Sequence, residues 1–382
     1  MRRKTRPCVQ ELEDRCVPVT WGNPWPDATH LTLSFAPDGT KLGSQTSELF
    51  SKLDATMPRD AWQMEILRAF QTWAAQSNIN VGLVSDGGQA FGTPGSVQSD
   101  TRFGDVRLSG VPLADDALAT TIPFEVAGGT LAGDVRVNTD SPFTPGGVGG
   151  FDLNTVMMQE AGHVFGLDNS PDPNSVMYEI YSGKRAGLSA GDVAALQALY
   201  GARKPDALEG GGGNETRSTA TRLNLLSNSD GSLSFSAAGD ITTAAERDVY
   251  SFTTPLSAGT LVVRLRTSGL SLLTSQVSVF DAWSNRLKTA AAVDPRSGDL
   301  LLLLNGLRIL STYNVQVEGA GTEVFRVGSY QLDVQWLPLV NGLVGTATGL
   351  VGSATGTVTQ LLANNDLHTN DGINAAGLSL QM

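Results

Sequence analysis

Leu31, Leu33 and Phe35 alternate with Thr32 and Ser34, the period-two pattern of a strand with one buried face. Pro37-Asp38-Gly39 supplies a turn behind it. The period then changes. Trp62, Ile66, Ala69, Phe70 and Trp73 recur three and four apart and predict a helix with an apolar face over 62–73. Asn80–Val84 predicts a second strand. Asp105-Val106-Arg107-Leu108 and Asp134-Val135-Arg136-Val137 predict two more, separated by Gly-rich loops. Val156–Phe165 and Ala190–Tyr200 read as helices, and Ser189 followed by Asp192 gives the latter a capping-box start. Residues 28–203 therefore predict one α/β domain.

Beyond it the texture changes. Residues 204–214, with Gly210 to Gly213 in a row, read as a flexible linker. Over 215–336 short alternating runs follow one another: Tyr250/Phe252, Leu261/Val263/Leu265, Val277/Val279, Tyr313/Val315/Val317 and Tyr330/Leu332/Val334. Turn signals such as Ser257-Ala258-Gly259 and Asp294-Pro295 punctuate them, which predicts an all-β sandwich. Residues 337–382 form a low-complexity tail in which Gly342–Thr348 is repeated as Gly349–Thr355 with one conservative change. Its Gly, Thr, Ser and Asn content favours a flexible segment over a membrane-packing helix.

Composition narrows the function. The 382 residues carry 26 basic and 38 acidic side chains, a net charge of −12, which does not suit nucleic acid. The two cysteines, Cys8 and Cys16, lie near the N-terminus and make no disulfide framework. Residues 1–27 begin with Arg2, Arg3, Lys4 and Arg6, but no apolar core of a signal peptide follows. Instead Leu12-Glu13-Asp14-Arg15-Cys16-Val17-Pro18 resembles the leader of many large secreted or surface proteins of certain bacteria. The three histidines, His30, His163 and His368, lie in three different regions.

One stretch carries the chemistry: Gln159-Glu160-Ala161-Gly162-His163-Val164-Phe165-Gly166-Leu167-Asp168-Asn169, followed by Ser175-Val176-Met177-Tyr178. It resembles the metzincin pattern H-E-x-x-H-x-x-G-x-x-H with its Met-turn, in the matrixin version. Glu160, His163 and Gly166 fall on the pattern, Gly162 and Leu167 are typical of matrixins, and Met177 falls in the Met-turn. Phe70-Gln71-Thr72-Trp73, His30–Phe35 and Leu188–Tyr200 resemble the family's first helix, first strand and closing helix. The resemblance covers 28–203. It implies an α+β catalytic domain with a mixed sheet, a long active-site helix and polypeptide substrates.

In that pattern two histidines four apart share a helix face and bind zinc, with the glutamate between them as general base. Zinc lowers the pKa of its water from about 15.7 to about 7. This chain has Gln159 and Asn169 at the first and third ligand positions and keeps only His163. Amides are not usual zinc ligands. Asp168 stands one position early for the third ligand, and His30 heads a strand. The leader also lacks the Pro-Arg-Cys-Gly wording of a latency propeptide. The expectation is a secreted pseudoprotease that binds a polypeptide or extracellular protein. The alternatives are an active zinc endopeptidase with an atypical site, in which Glu160 is the base, and a structural surface protein.

Residues 215–336 resemble the bacterial prepeptidase C-terminal domain through Asp248–Phe252, Gly259–Val263, Val277–Asp281 and Gly328–Val334. Such domains imply binding or secretion roles. Asp240, Asp248 and Asp281 are its candidate calcium ligands.

Overall fold

The computed structural model describes residues 21–210, 212–321 and 323–339. Cys8, Cys16, His368 and the tail repeat lie outside them. In the first lobe the chain order is β1 (Leu31–Phe35), α1 (Leu49–Asp54), α2 (Arg59–Ala74), β2 (Val81–Leu83), β3 (Val106–Val111), β4 (Ala119–Thr121), β5 (Val135–Asn138), α3 (Leu153–Val164) and α4 (Ala190–Tyr200). The strands make one five-stranded sheet in the order β2-β1-β3-β5-β4. All pairs are parallel except β4–β5, so β4 is an antiparallel edge. The sheet is mixed, as expected. The short α1 and β4 had no signal in the pattern, because six and three residues are too few to establish a period.

The apolar face of α2 is buried as its spacing predicts: Trp62, Ile66, Phe70 and Trp73 are each 0% exposed. That face meets Met157, Ala161 and Val164 of α3 in one core. Trp73 Nε1 donates to Met158 O at 2.8 Å, so the indole's polar edge is satisfied inside the core. Arg107 lies on a strand that is buried along its whole length, and its side chain pairs with Asp86, both 1% exposed, in a two-pronged ion pair. Its guanidinium lies 4.2 Å and 4.3 Å from the ring centres of Phe91 and Phe103. The aromatic faces and the paired carboxylate together make burial of that charge tolerable.

The expected domain start at residue 28 is too late. Trp21 N donates to Gly166 O at 2.8 Å, and Trp25 Nε1 donates to Val164 O at 2.8 Å. Trp25 is 3% exposed. Two tryptophans assigned to the leader 1–27 are therefore part of the first lobe, packed at the end of α3.

The second lobe contains β6 (Thr221–Arg222), β7 (Leu226–Ser227), β8 (Leu233–Ile241), β9 (Arg247–Thr253), β10 (Gly259–Arg266), β11 (Ser275–Asp281), β12 (Arg286–Ala291), β13 (Leu300–Leu304), β14 (Thr312–Gly319) and β15 (Gly328–Pro338). They form two five-stranded sheets, β6-β9-β14-β11-β12 and β7-β8-β15-β10-β13. Residues of both sheets, Val277 and Val315 from one, Val263 and Val334 from the other, share a single core. Strand β13 was hidden in the sequence because Leu300–Leu304 is all leucine and shows no polar alternation.

The segment 204–214 is not a free linker where it is described. Asp206 Oδ2 accepts from Asp240 N at 2.7 Å, Leu208 O from Thr221 Oγ1 at 2.6 Å, and Asn214 O from Val249 N at 2.9 Å. The lobes also touch directly. Gln71 Nε2 donates to Val324 O and Val327 O, and Gly269 N donates to Leu83 O at 3.2 Å. Gly82 allows this approach, since a Cβ there would lie 2.2 Å from the Gly269 carbonyl carbon. Arg203 bridges the lobes by bonding Asp240, Ile79 O and Asn80 Oδ1.

Candidate functional site

The site is built on α3. Asp152 caps its N-terminus by accepting from Thr155 N at 2.9 Å. Its C-terminus closes through Gly166, whose φ of 91° suits glycine. Gly166 N donates to His163 O and Leu167 N to Gly162 O, both at 3.0 Å, the paired bonds of a Schellman turn. This reversal sends the next residues back along the helix and brings Asn169 over Gln159. The chain is held there by Ser170 N, which donates to Met177 O at 2.8 Å. Met177, 2% exposed, seats beneath Gly162 in the core, where a Cβ on the glycine would lie 2.2 Å from its sulfur.

Gln159, Glu160, His163 and Asn169 all line one cleft of about 680 Å³, with Trp21, Thr121 and Tyr178. Gln159 Nε2 donates to Asn169 Oδ1 at 3.3 Å, so the two amides at the substituted ligand positions are joined by a hydrogen bond. His163 Nδ1 lies 2.8 Å from Leu167 O. A carbonyl only accepts, so Nδ1 carries the hydrogen and Nε2 keeps the lone pair. Burial lowers the pKa of His163, against the opposing pull of Leu167 O, Asp168 and Asn169, and favours the neutral ring. Trp21 covers it, with ring centres 5.5 Å apart.

Glu160 is buried, 6% exposed, and its Oε2 accepts from Thr121 Oγ1 at 2.6 Å. Burial raises its pKa from 4.5 to about 7, and the Thr121 bond only partly offsets this. Thr121 and Trp21 were not legible as site residues. Thr121 lies on a three-residue strand, and Trp21 sits beside the helix only because the chain folds back there.

The residues present do not fit a matrixin zinc. A single imidazole nitrogen faces two amides that are bonded to each other. Neither alternative ligand reaches the place. Asp168 Oδ1 accepts from Asn169 N within its own loop, and His30 pairs with Asp27 at 3.0 Å on the surface. Among the described residues, the cleft contains no group of three His, Cys, Asp or Glu side chains close enough to share an ion.

The three proposed calcium ligands of the second lobe do not come together. Asp240 is taken by Arg203, and Asp281 holds its own hairpin by accepting from Trp283 N and Asn285 N. Asp248 lies instead beside Glu209 and Glu246.

A mixed sheet, two helices that share its core, a Schellman reversal after the motif histidine and a methionine seated under the helix glycine make up this lobe. Residues 44–201 match the family model of the matrixins and are a matrixin domain. The chain is 30% identical to rat matrilysin over 183 residues, which is 47% of this chain and 64% of matrilysin. It is 35% identical to karilysin of the bacterium Tannerella forsythia over 101 residues, 26% of this chain and 21% of karilysin. A probable matrix metalloproteinase of Invertebrate iridescent virus 3 is 37% identical over 79 residues, 20% of this chain and 22% of that protein. The chain spans less than two thirds of the length of each of these relatives. Matrixins act on polypeptides and normally use zinc.

Proposed function

We propose that this chain is a secreted matrixin homologue that has lost zinc catalysis and uses its cleft to hold an extended polypeptide or an extracellular protein. The observation that carries this reading is the hydrogen bond between Gln159 and Asn169, which occupies both substituted ligand positions. Without a metal, Glu160 has no activated water to serve, and its carboxyl is engaged by Thr121. The cleft itself is open at about 680 Å³. That openness favours a binding role over a purely structural one, for which the cleft would be filled by its own side chains. The edge strand β4 runs beside the cleft and offers its free side to a peptide strand. The second lobe, similar to a prepeptidase C-terminal domain, adds a binding or secretion role. Among the described residues no helix is long and apolar enough to cross a membrane.

The test is the metal content of the purified full chain, with cleavage of an unstructured protein followed beside it. The expected result is no bound zinc and no cleavage. About one zinc per chain with chelator-sensitive cleavage would overturn the proposal and favour the active-endopeptidase reading.

A further inference from the structure

Three carboxylates meet where the segment leaving the first lobe joins the second. Glu209 belongs to that segment, Glu246 to the turn before β9, and Asp248 to β9 itself. One carboxylate oxygen from each lies within 4.8 Å of the others. Asp248 is 0% exposed. Glu209 Oε1, Glu246 Oε1 and Asp248 Oδ1 are all shielded from solvent and receive no hydrogen bond. A fourth orphan, Asn214 Oδ1, belongs to a residue 1% exposed whose backbone carbonyl accepts from Val249 N, next to Asp248.

The remaining oxygens are held by a rigid frame. Glu246 Oε2 accepts from Thr242 N and Thr243 N, and Asp248 Oδ2 accepts from Tyr330 OH, which also bonds Tyr250 OH. The frame therefore fixes the acids and leaves one face of each unused. Burial first, and then the neighbouring acids Asp206, Glu246 and Glu209, push Asp248 up to about 8. Burial and Glu246 push Glu209 up in the same way.

Buried carboxylate oxygens without donors are costly unless a cation or a proton compensates them. The donor set is all oxygen, with no histidine or cysteine, which selects a hard cation. Calcium–oxygen distances run at about 2.3–2.6 Å, so two ligands of one ion stand up to about 5 Å apart, a span that oxygens within 4.8 Å of one another match. Magnesium, smaller and retentive of its waters, suits the spacing less well.

We propose that Glu209, Glu246 and Asp248, with the side-chain carbonyl of Asn214, form a calcium site that clamps the inter-lobe segment onto β9. The clamp lies beside a second tie of the same segment, Asp206 to Asp240, whose carboxylate also holds Arg203. Calcium would thus fix the joint between the lobes. The site is independent of the matrixin cleft, and its test does not depend on protease activity.

The full chain is stripped with a calcium chelator and titrated with calcium chloride alone at pH 7.5, by calorimetry and by thermal unfolding. One calcium per chain and a rise in Tm are expected. Glu209→Gln lies on the segment and leaves the β9 frame intact, so it should weaken calcium binding about tenfold or more while keeping the calcium-free Tm. Asp248→Asn should weaken it likewise. Absence of heat and of a Tm shift up to millimolar calcium would mean that the acids share a proton instead, and would overturn the proposal. Binding of unchanged affinity in both variants would place the ion elsewhere and overturn it equally.

Discussion

Gln159 Nε2 donates to Asn169 Oδ1 at 3.3 Å, joining the side chains at the two positions where the matrixin pattern has its outer histidines. The scaffold that presents these positions is intact: the Asp152 cap, the Gly166 reversal and Met177 beneath the helix are all in place. Gln159→His with Asn169→His should therefore install three converging imidazoles and bind about one zinc per chain. Metal analysis after dialysis checks this. A folded double variant without zinc would mean that the cleft has diverged beyond the ligands themselves.

Glu160 should make stability depend on pH. Its folded pKa, about 7, is above the ordinary 4.5, so the folded state holds the proton more tightly than the unfolded state. Its stabilising contribution is complete below about 4.5, is lost as pH rises through about 7, and amounts to about 3 kcal/mol. Glu160→Gln keeps an acceptor for Thr121 and removes the titration. Urea unfolding should find this variant more stable than the parent at pH 8, with the difference vanishing near pH 4.5. A gap that does not change with pH would contradict the burial of an ionisable Glu160.

Gly162→Ala places a methyl group against Met177 Sδ at 2.2 Å and Trp73 Cζ2 at 3.0 Å. Overpacking costs about 1–3 kcal/mol, and alanine returns about 1 kcal/mol of helix propensity. A net loss of about 1 kcal/mol is expected, read from the denaturant midpoint. A gain in stability would mean that Met177 swings clear of the helix.

Arg203 is one of the polar links between the lobes, 5% exposed at the side chain, against 19% for Asp240. Arg203→Met strands the Asp240 carboxylate, whose pKa burial already raises, and should cost about 3 kcal/mol. Adding Asp240→Asn should recover most of that loss, because the stranded charge is gone. Thermal unfolding of the two variants decides it. Equal losses in both would show that Arg203 acts through Ile79 O and Asn80 alone.

Periodicity revealed α2 and α3, which bury enough side chains to impose a spacing on the residues, whereas α4 buries only Asp192 and Leu196 and is marked by its Ser189/Asp192 cap. It missed β4 and α1, which are too short to repeat, and β13, whose leucines never alternate. The substituted ligands were legible from their places in the motif, because the spacing of a helix fixes which side chains share a face. Their mutual hydrogen bond was not, because it depends on how the Gly166 reversal returns the chain over α3.

The sequence by itself determined the matrixin pattern and the single histidine retained in it, both of which follow from local spacing. Tertiary structure alone decided that Thr121 holds Glu160, that Trp21 covers His163, and that Glu209, Glu246 and Asp248 converge at the joint between the lobes. These groups come from separate strands and loops. Only packing, which brings residues distant along the chain into contact, sets the distances between them.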